Sequence, residues 1–497
     1  MVHSFSRRFF LTTLAAFSAS PLAARPVKKS LRPQARPGTP RLPSAEPIEA
    51  LLKRAKLGGS VSCAVAEIGS GQLLEGRASN ATLPPASVTK AVTALYALDT
   101  LGPNHRFRTR IIATAPIQNG VLQGDLILAG GGDPTLNTEG LAALAKTLKA
   151  AGLREVRGRF RVYAGALPYA RQIDKAQPDH VGYNPAISGL SLNFNRVHFE
   201  WKRAGSGWGV TMDARSANYR PEVSIAKMAV IKRQMPVYTY QQKGSTDHWT
   251  VASGALGKGG ARWLPVRRPD LYAGEVFRTL ARAHGIVLPK EKVAKSLPAG
   301  TTVATYQSAL LRDILRDMLK YSTNLTAEMV GLAATGVSTG KLSTLRASAQ
   351  QMTRWAKRRL GMQQGKFVDH SGLGDASLLS AQDMVAALST RLAREQLPAI
   401  LKPITLRDAK GKPNSRHPLK VLAKTGTLNF ASSLAGYVTT PDGRVMAFAI
   451  FTADNKKRSA LSKDQRERPE GGRSWNKRSK ALQQSLLERW GQLYGAG

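Results

Sequence analysis

A mixed α/β (α+β) fold, an antiparallel sheet flanked by helices and interrupted by a β-rich insertion, is predicted by three features of this 497-residue chain. Strand-like runs at 421–422, 434–438 and 445–451, with the turn Pro441-Asp442-Gly443 between the last two, read as consecutive antiparallel strands. Runs with apolar residues on one side, at 88–98 and 325–332, read as helices. Between these regions the chain alternates strand-like runs (122–128, 159–163, 190–199, 237–240) with helices near 140–151 and 271–283. That alternation describes a β-rich insert of one or two domains over 113–301.

From the N-terminus, Ser6-Arg7-Arg8-Phe9-Phe10-Leu11, an apolar stretch to Ala19 and the small pair Ala23-Ala24 read as a cleaved export signal over 1–24. The motif resembles a twin-arginine signal, and the apolar run also suits the Sec route. Neither this run nor any other is long enough to span a bilayer, so the mature chain is expected in the periplasm. Residues 25–45 form a basic, Pro-rich linker. Residues 46–112 supply a helix, a hairpin over 61–74 and the helix after Ser87. The sole cysteine, Cys63, lies in that hairpin, so no intrachain disulfide is available. Stability must come from packing, and 42% hydrophobic residues in 497 allow more than one core.

Three short strings carry chemistry. In the first, Leu83-Pro84-Pro85-Ala86 bars a helix upstream, which leaves Ser87 at the N-terminus of the helix that follows. Backbone N–H groups and the helix dipole favour negative charge there, as a serine passing through an alkoxide-like state requires. Lys90 projects one turn later on the same face, within reach of the Ser87 proton. It serves as a base only with a lowered pKa, which burial and a second cation, Lys424, would both provide. In the second string, Ser322-Thr323-Asn324, a hydroxyl and an amide open a helix containing Glu328, able to relay a proton and hold a substrate amide. Capping of that helix by Ser322 or Asn324 is the plainer role, and it is compatible with catalysis. The third, Lys424-Thr425-Gly426-Thr427, reads as a strand edge. Gly426 would let backbone approach a ligand, Thr425 and Thr427 would offer hydroxyls to a carboxylate, and the Thr427 and Ser87 N–H groups would form an oxyanion hole. Other S-x-x-K strings exist at Ser224 and Ser474, one in a strand-like run and one in a charged stretch. The ordered trio is a signature of active-site serine acyl-transferases.

With Gly130-Gly131-Gly132-Asp133-Pro134, Tyr321-Ser322-Thr323-Asn324 and Asp369-His370-Ser371-Gly372-Leu373 added, residues 46–455 resemble the low-molecular-mass class C penicillin-binding proteins, D-alanyl-D-alanine carboxypeptidases and endopeptidases. The 235 residues from Ser87 to Ser322 leave room for a domain-sized insertion, which sets this family apart from class A β-lactamases. The resemblance implies a penicillin-binding transpeptidase/β-lactamase-like domain built from 46–112 and 302–497. It also implies peptidoglycan stem peptides as substrates and β-lactams as covalent inhibitors. Catalytic roles then fall to Ser87, Lys90, Ser322, Asn324 and Lys424, and substrate-binding roles to Thr425, Gly426 and Thr427. Two departures stand out. The family commonly continues Ser371-Gly372-Leu373 with Ser-Arg, and this chain has Gly374-Asp375. Where relatives carry a Trp-rich insert segment with an aspartate that reads diaminopimelate, this chain has Gln177-Pro178-Asp179-His180, and Asp179 is the candidate.

Lys and Arg number 73 against 32 Asp and Glu, a net charge of +41, so the surface should attract polyanions. Export and the lack of a helix-turn-helix, zinc-finger or aromatic RNA-binding pattern argue against nucleic acid. Anionic membrane or wall surfaces are the expected partners, met through the basic segments 25–41 and 456–480. The eight histidines form no metal-ligand spacing, so no metal and no cofactor are expected. A β-lactamase or esterase with the same trio, and an idle wall-binding or β-lactam-sensing protein, are the competing readings.

Overall fold

The computed structural model describes residues 45–495. The expected export signal, and the expected basic linker except for its last residue, lie outside the described residues. A six-stranded antiparallel sheet runs in the order Lys402–Pro403, Lys420–Leu428, Ala431–Thr439, Val445–Ala453, Ser60–Glu67, Leu73–Arg77. The three late strands and the early hairpin are those expected from the sequence, joined by pairing of Ser60–Glu67 with Val445–Ala453. The two-residue side-chain period of Val445–Ala453 feeds two cores. Ala447, Ala449 and Phe451 pack on one face with the helices Thr89–Leu101, Leu345–Leu360 and Ala381–Ser389. Met446, Phe448 and Ile450 pack on the other with Cys63 and with Trp475, Leu486 and Trp490 of the helix Gly472–Tyr494. Both indoles are satisfied: Trp475 Nε1 donates to the Leu57 carbonyl at 2.7 Å and Trp490 Nε1 to Glu75 at 2.8 Å.

The excursion begins and ends as neighbouring strands. Arg108–Ala113 pairs antiparallel with Thr301–Gln307 inside a five-stranded sheet, so departure and return are locked side by side. The helices Thr138–Ala150 and Pro269–Ala283 close its core by packing Leu144 and Phe277 with Phe160 of the strand Phe160–Tyr163. Smaller three-stranded sheets follow, centred on Arg196–Ala204 and Thr246–Ala252.

Two strand boundaries differ from expectation. The run 122–128 splits into Val121–Leu122 and Leu126–Ala129 around Gly124, whose Cβ position would lie 2.5 Å from the Thr114 hydroxyl. Residues 190–195 form no strand. Asn193, Phe194 and Asn195 hold φ values of 49°, 58° and 55°, a left-handed stretch that asparagine tolerates. The Asn195 amide stabilises it by accepting from the Leu192 N–H at 3.1 Å and donating to the Ala186 carbonyl at 2.8 Å. No helix among the described residues is long and apolar enough to cross a membrane.

Candidate active site

Ser87 lies in a 3₁₀ turn, Ala86–Val88, that leads directly into the helix Thr89–Leu101. Ala86 carries φ 46°, a left-handed conformation that costs an alanine about 1 kcal/mol or more. Two glycines clamp the turn. A Cβ on Gly372 would lie 1.9 Å from the Ala86 carbonyl oxygen, and one on Gly426 would lie 2.8 Å from the Pro85 carbonyl and 3.0 Å from the Ser87 nitrogen. Gly426 is therefore required by the close approach of the strand to the nucleophile's own backbone, a different reason from the ligand clearance expected.

Lys90 is buried, and its Nζ has three partners: Ser87 Oγ at 2.9 Å, Asn324 Oδ1 at 2.7 Å and the Ser371 carbonyl at 2.8 Å. Two of these are pure acceptors. A neutral amine can donate its two hydrogens to them, which leaves the lone pair facing the Ser87 hydroxyl. Burial pushes Lys90 down to about 8, against the opposing pull of Glu328 and Asp369. From the ordinary 10.5, that shift is about 3 kcal/mol against the ammonium form. Glu328 and Asp369 favour the Lys90 ammonium, whereas Lys90 and Lys424 repel each other as cations. Lys424 itself is held well below the usual lysine range by burial, and then by Lys90 and Lys402.

The second motif sits at a break between helices. Leu311–Tyr321 ends at Ser322, whose φ is 60°, and Asn324–Thr339 starts two residues later with Thr323 as its N-cap. Neither Ser322 nor Asn324 acts as the side-chain cap, so both remain free for other partners. Ser322 Oγ accepts from Lys424 Nζ at 3.1 Å, and Lys424 also donates to the Thr425 carbonyl at 2.7 Å. Asn324 Nδ2 donates to the Tyr183 carbonyl of the insert at 2.9 Å, which ties the excursion to the motif.

Beneath Lys90 lies a buried polar layer that the sequence left without a role. Both oxygens of Glu328 accept from the consecutive amides of His370 and Ser371, each at 2.9 Å, which aims the Ser371 carbonyl at Lys90. The Asp369 carboxylate accepts from Gly372 and Gly374 at 2.7 and 2.6 Å. Burial pushes both carboxyls up, Glu328 further through the nearness of Asp369. His370, held near 3 by burial, is a neutral imidazole against Ser348 at 2.7 Å. Gly331 makes room for it, since a Cβ there would meet the ring at 2.2 Å. These blocks were visible as strings, but the pairing of Glu328 with residues 42 and 43 positions away was not.

Ser87, Ser322, Asn324 and Thr427 line one cavity of about 340 Å³, with Tyr183, Asp375 and Arg458. The departure at Asp375 is matched across this cavity: its carboxylate binds Arg458 and accepts from Arg466 at 2.7 Å. Part of the basic segment 456–480 therefore faces the catalytic cavity. Asp179 does not line it. Its carboxylate lies 3.2 Å from Lys463, 3.7 Å from Arg171 and 4.0 Å from Arg267, beside a separate depression. The other S-x-x-K serines are occupied elsewhere: Ser224 donates to Glu275 at 2.6 Å and Ser474 to the Gly471 carbonyl at 2.9 Å. Ser224 precedes the strand Ala226–Ile231 and is not within it.

The profile described as the D-Ala-D-Ala carboxypeptidase 3 (S13) family matches residues 44–471. A D-alanyl-D-alanine carboxypeptidase of Actinomadura sp. (strain R39) is 29% identical over 448 residues, 82% of this chain and 80% of that protein. The crystal structure of penicillin binding protein 4 from Haemophilus influenzae superposes with a TM-score of 0.73 at 19% identity, covering 89% of this chain and 99% of that one. The same protein complexed with a β-lactam gives 0.65 at 20% identity, covering 82% and 92%.

Proposed function

The chain belongs to the D-Ala-D-Ala carboxypeptidase 3 (S13) family and is a serine-type D,D-peptidase, and we propose that Ser87 is its nucleophile on peptidoglycan stem peptides. The observation that carries this is the Lys90 amine, whose two carbonyl acceptors leave its lone pair for Ser87. Ser87 Oγ bonds to the carbonyl carbon of the penultimate D-Ala while its proton passes to Lys90. The carbonyl oxygen gains negative charge, which the Ser87 and Thr427 N–H groups receive. On collapse the C–N bond breaks, and the proton that Lys90 accepted passes by way of the Ser322 hydroxyl, itself hydrogen-bonded to Lys424, to the leaving D-Ala amine, so Lys90 is neutral again. Water then attacks the ester, giving its proton to Lys90, and Ser87 is restored. Asn324 orients the substrate amide, and Lys424, Thr425 and Thr427 receive the terminal carboxylate. That carboxylate favours the protonated form of Lys424 on arrival, offsetting its burial.

By the same chemistry β-lactams acylate Ser87. Mass spectrometry after incubation with benzylpenicillin should find one adduct, on the peptide containing Ser87; an adduct on another serine would reject the assignment. Lys424→Ala should retain measurable acylation by penicillin and raise KM for carboxylate-terminated peptides by about tenfold or more, because recognition is lost while the Lys90 base remains. Unchanged KM would reject the carboxylate role.

The family's wall substrate and the motif at residues 6–11 support export to the periplasm, with the basic segment 25–41 meeting anionic surfaces. The segments 46–112 and 302–497 carry the chemistry, and 113–301 governs which stem peptides are accepted. Asp179 was expected to read the diaminopimelate side chain. Its pairing with Lys463 favours an indirect form of that role, holding the insert segment around Tyr183 against the catalytic body. Asp179→Ala should slow hydrolysis of diaminopimelate-containing muropeptides and leave penicillin acylation unchanged. Equal loss on both ligands would indicate damage to the fold, and no loss on either would make Asp179 a surface acid.

A further inference from the structure

A second, larger cavity of about 1170 Å³ opens beside the catalytic one, between the loop after Lys402–Pro403 and the helix Gly472–Tyr494. The two cavities share Thr427 and Asn476 in their linings, so they adjoin at the oxyanion end of the catalytic strand. One wall presents Arg473, Lys477 and Lys480, spaced four and three residues apart and hence on one helical face. The facing side presents Lys402 from the strand and Arg407 and Lys410 from the loop after it. Among the described residues none of these six cations makes an ion pair, and all but Lys402, which is half-buried, are exposed. The two acids in the lining are already engaged. Asp408 accepts the amides of Lys410 and Lys412 at 2.9 and 2.8 Å, and Glu488 accepts from Gln484 at 2.7 Å beside His417. The far end is fixed by a reciprocal pair: the Arg407 N–H donates to Gln484 Oε1 at 2.9 Å, and Gln484 Nε2 donates to the Arg407 carbonyl at 2.7 Å.

We propose that this cationic groove binds the carboxylate-rich peptides flanking the cleavage point on polymeric wall, so that the enzyme favours polymer over free stem peptide. The inference rests on the D,D-peptidase reading. Every uncut stem peptide ends in a carboxylate, so a strand of wall is a polyanion whose charges repeat along its length. A concave, two-sided groove adjoining the catalytic cavity suits such a chain better than it suits a flat membrane. Unpaired cations in a cleft raise the local concentration of an anionic substrate, and salt screens that attraction.

The test is the triple variant Arg473→Ala/Lys477→Ala/Lys480→Ala, in the mature enzyme. D-Ala release is measured from purified sacculi and from a free pentapeptide, alongside the rate of benzylpenicillin acylation. Expected is a fall of about tenfold or more in kcat/KM on sacculi, the size of a lost charge cluster, with pentapeptide and penicillin rates within about twofold of the parent. The parent's advantage on sacculi should also shrink as salt rises from low ionic strength to about 0.5 M, and the variant's should not. Equal rates on sacculi for parent and variant would overturn the proposal. So would loss of binding to phosphatidylglycerol vesicles with sacculus hydrolysis intact, which would assign the groove to membrane. Failure of the D,D-peptidase reading itself would show separately, as absence of penicillin acylation in the parent.

Discussion

Ser87→Ala should abolish both acylation by benzylpenicillin and release of D-Ala, with a loss of at least about 10⁴-fold, because a methyl group cannot attack and no neighbouring hydroxyl can substitute. Ser322 is the nearest alternative by chemistry, but its oxygen accepts from Lys424, and the Lys90 amine is hydrogen-bonded to Ser87, Asn324 and Ser371 instead. The variant should remain folded. Ser87 lies in a turn clamped by Gly372 and Gly426, and the clamp depends on backbone contacts that alanine keeps. Thermal unfolding should therefore shift little. Retention of penicillin labelling by this variant would move the nucleophile elsewhere.

Lys90→Ala should be nearly as damaging, at about 10²–10⁴-fold, the usual contribution of a general base. Here the fold is also at stake. Removing a buried amine strands the Asn324 amide oxygen and the Ser371 carbonyl without a donor, and each buried unsatisfied acceptor costs about 1–3 kcal/mol. The two effects separate experimentally: a stability loss moves the unfolding midpoint, whereas a base loss flattens the pH dependence of acylation in protein that is still folded. Acylation at parental rates with normal folding would exclude Lys90 as the base.

The parts of this molecule legible from sequence are those set by local pattern. Strands 434–438 and 445–451 announced themselves by apolar content, and the nucleophile by two prolines followed by a helix former. The trio converged because its members are recognisable as strings. Three kinds of feature were not legible. Asn193 to Asn195 looked extended, but asparagine side chains stabilise a left-handed turn there by bonds to residues several positions away. The Glu328, Asp369 and His370 layer depends on contacts between segments about 40 residues apart, which no window of sequence reveals. The charged segment 456–480 read as a surface feature because composition says nothing of direction; folded, Arg458 and Arg466 turn toward Asp375 and the catalytic cavity. The same directionality gives Lys477 and Lys480 their place opposite Lys402 and Lys410.

Burial lowers the pKa of Lys90 to about 8, which lets its amine accept the Ser87 proton. For a base lowered to about 8, the acylation rate should climb about tenfold per pH unit below that value and level off above it, since deprotonation is then complete. The direct measurement is the second-order rate of acylation by benzylpenicillin across about pH 5 to 10.5, by stopped flow or rapid-quench mass spectrometry. A plateau beginning near 8 is the result predicted. A rate still rising toward the ordinary lysine value of about 10.4 would contradict a depressed Lys90 and with it the mechanism.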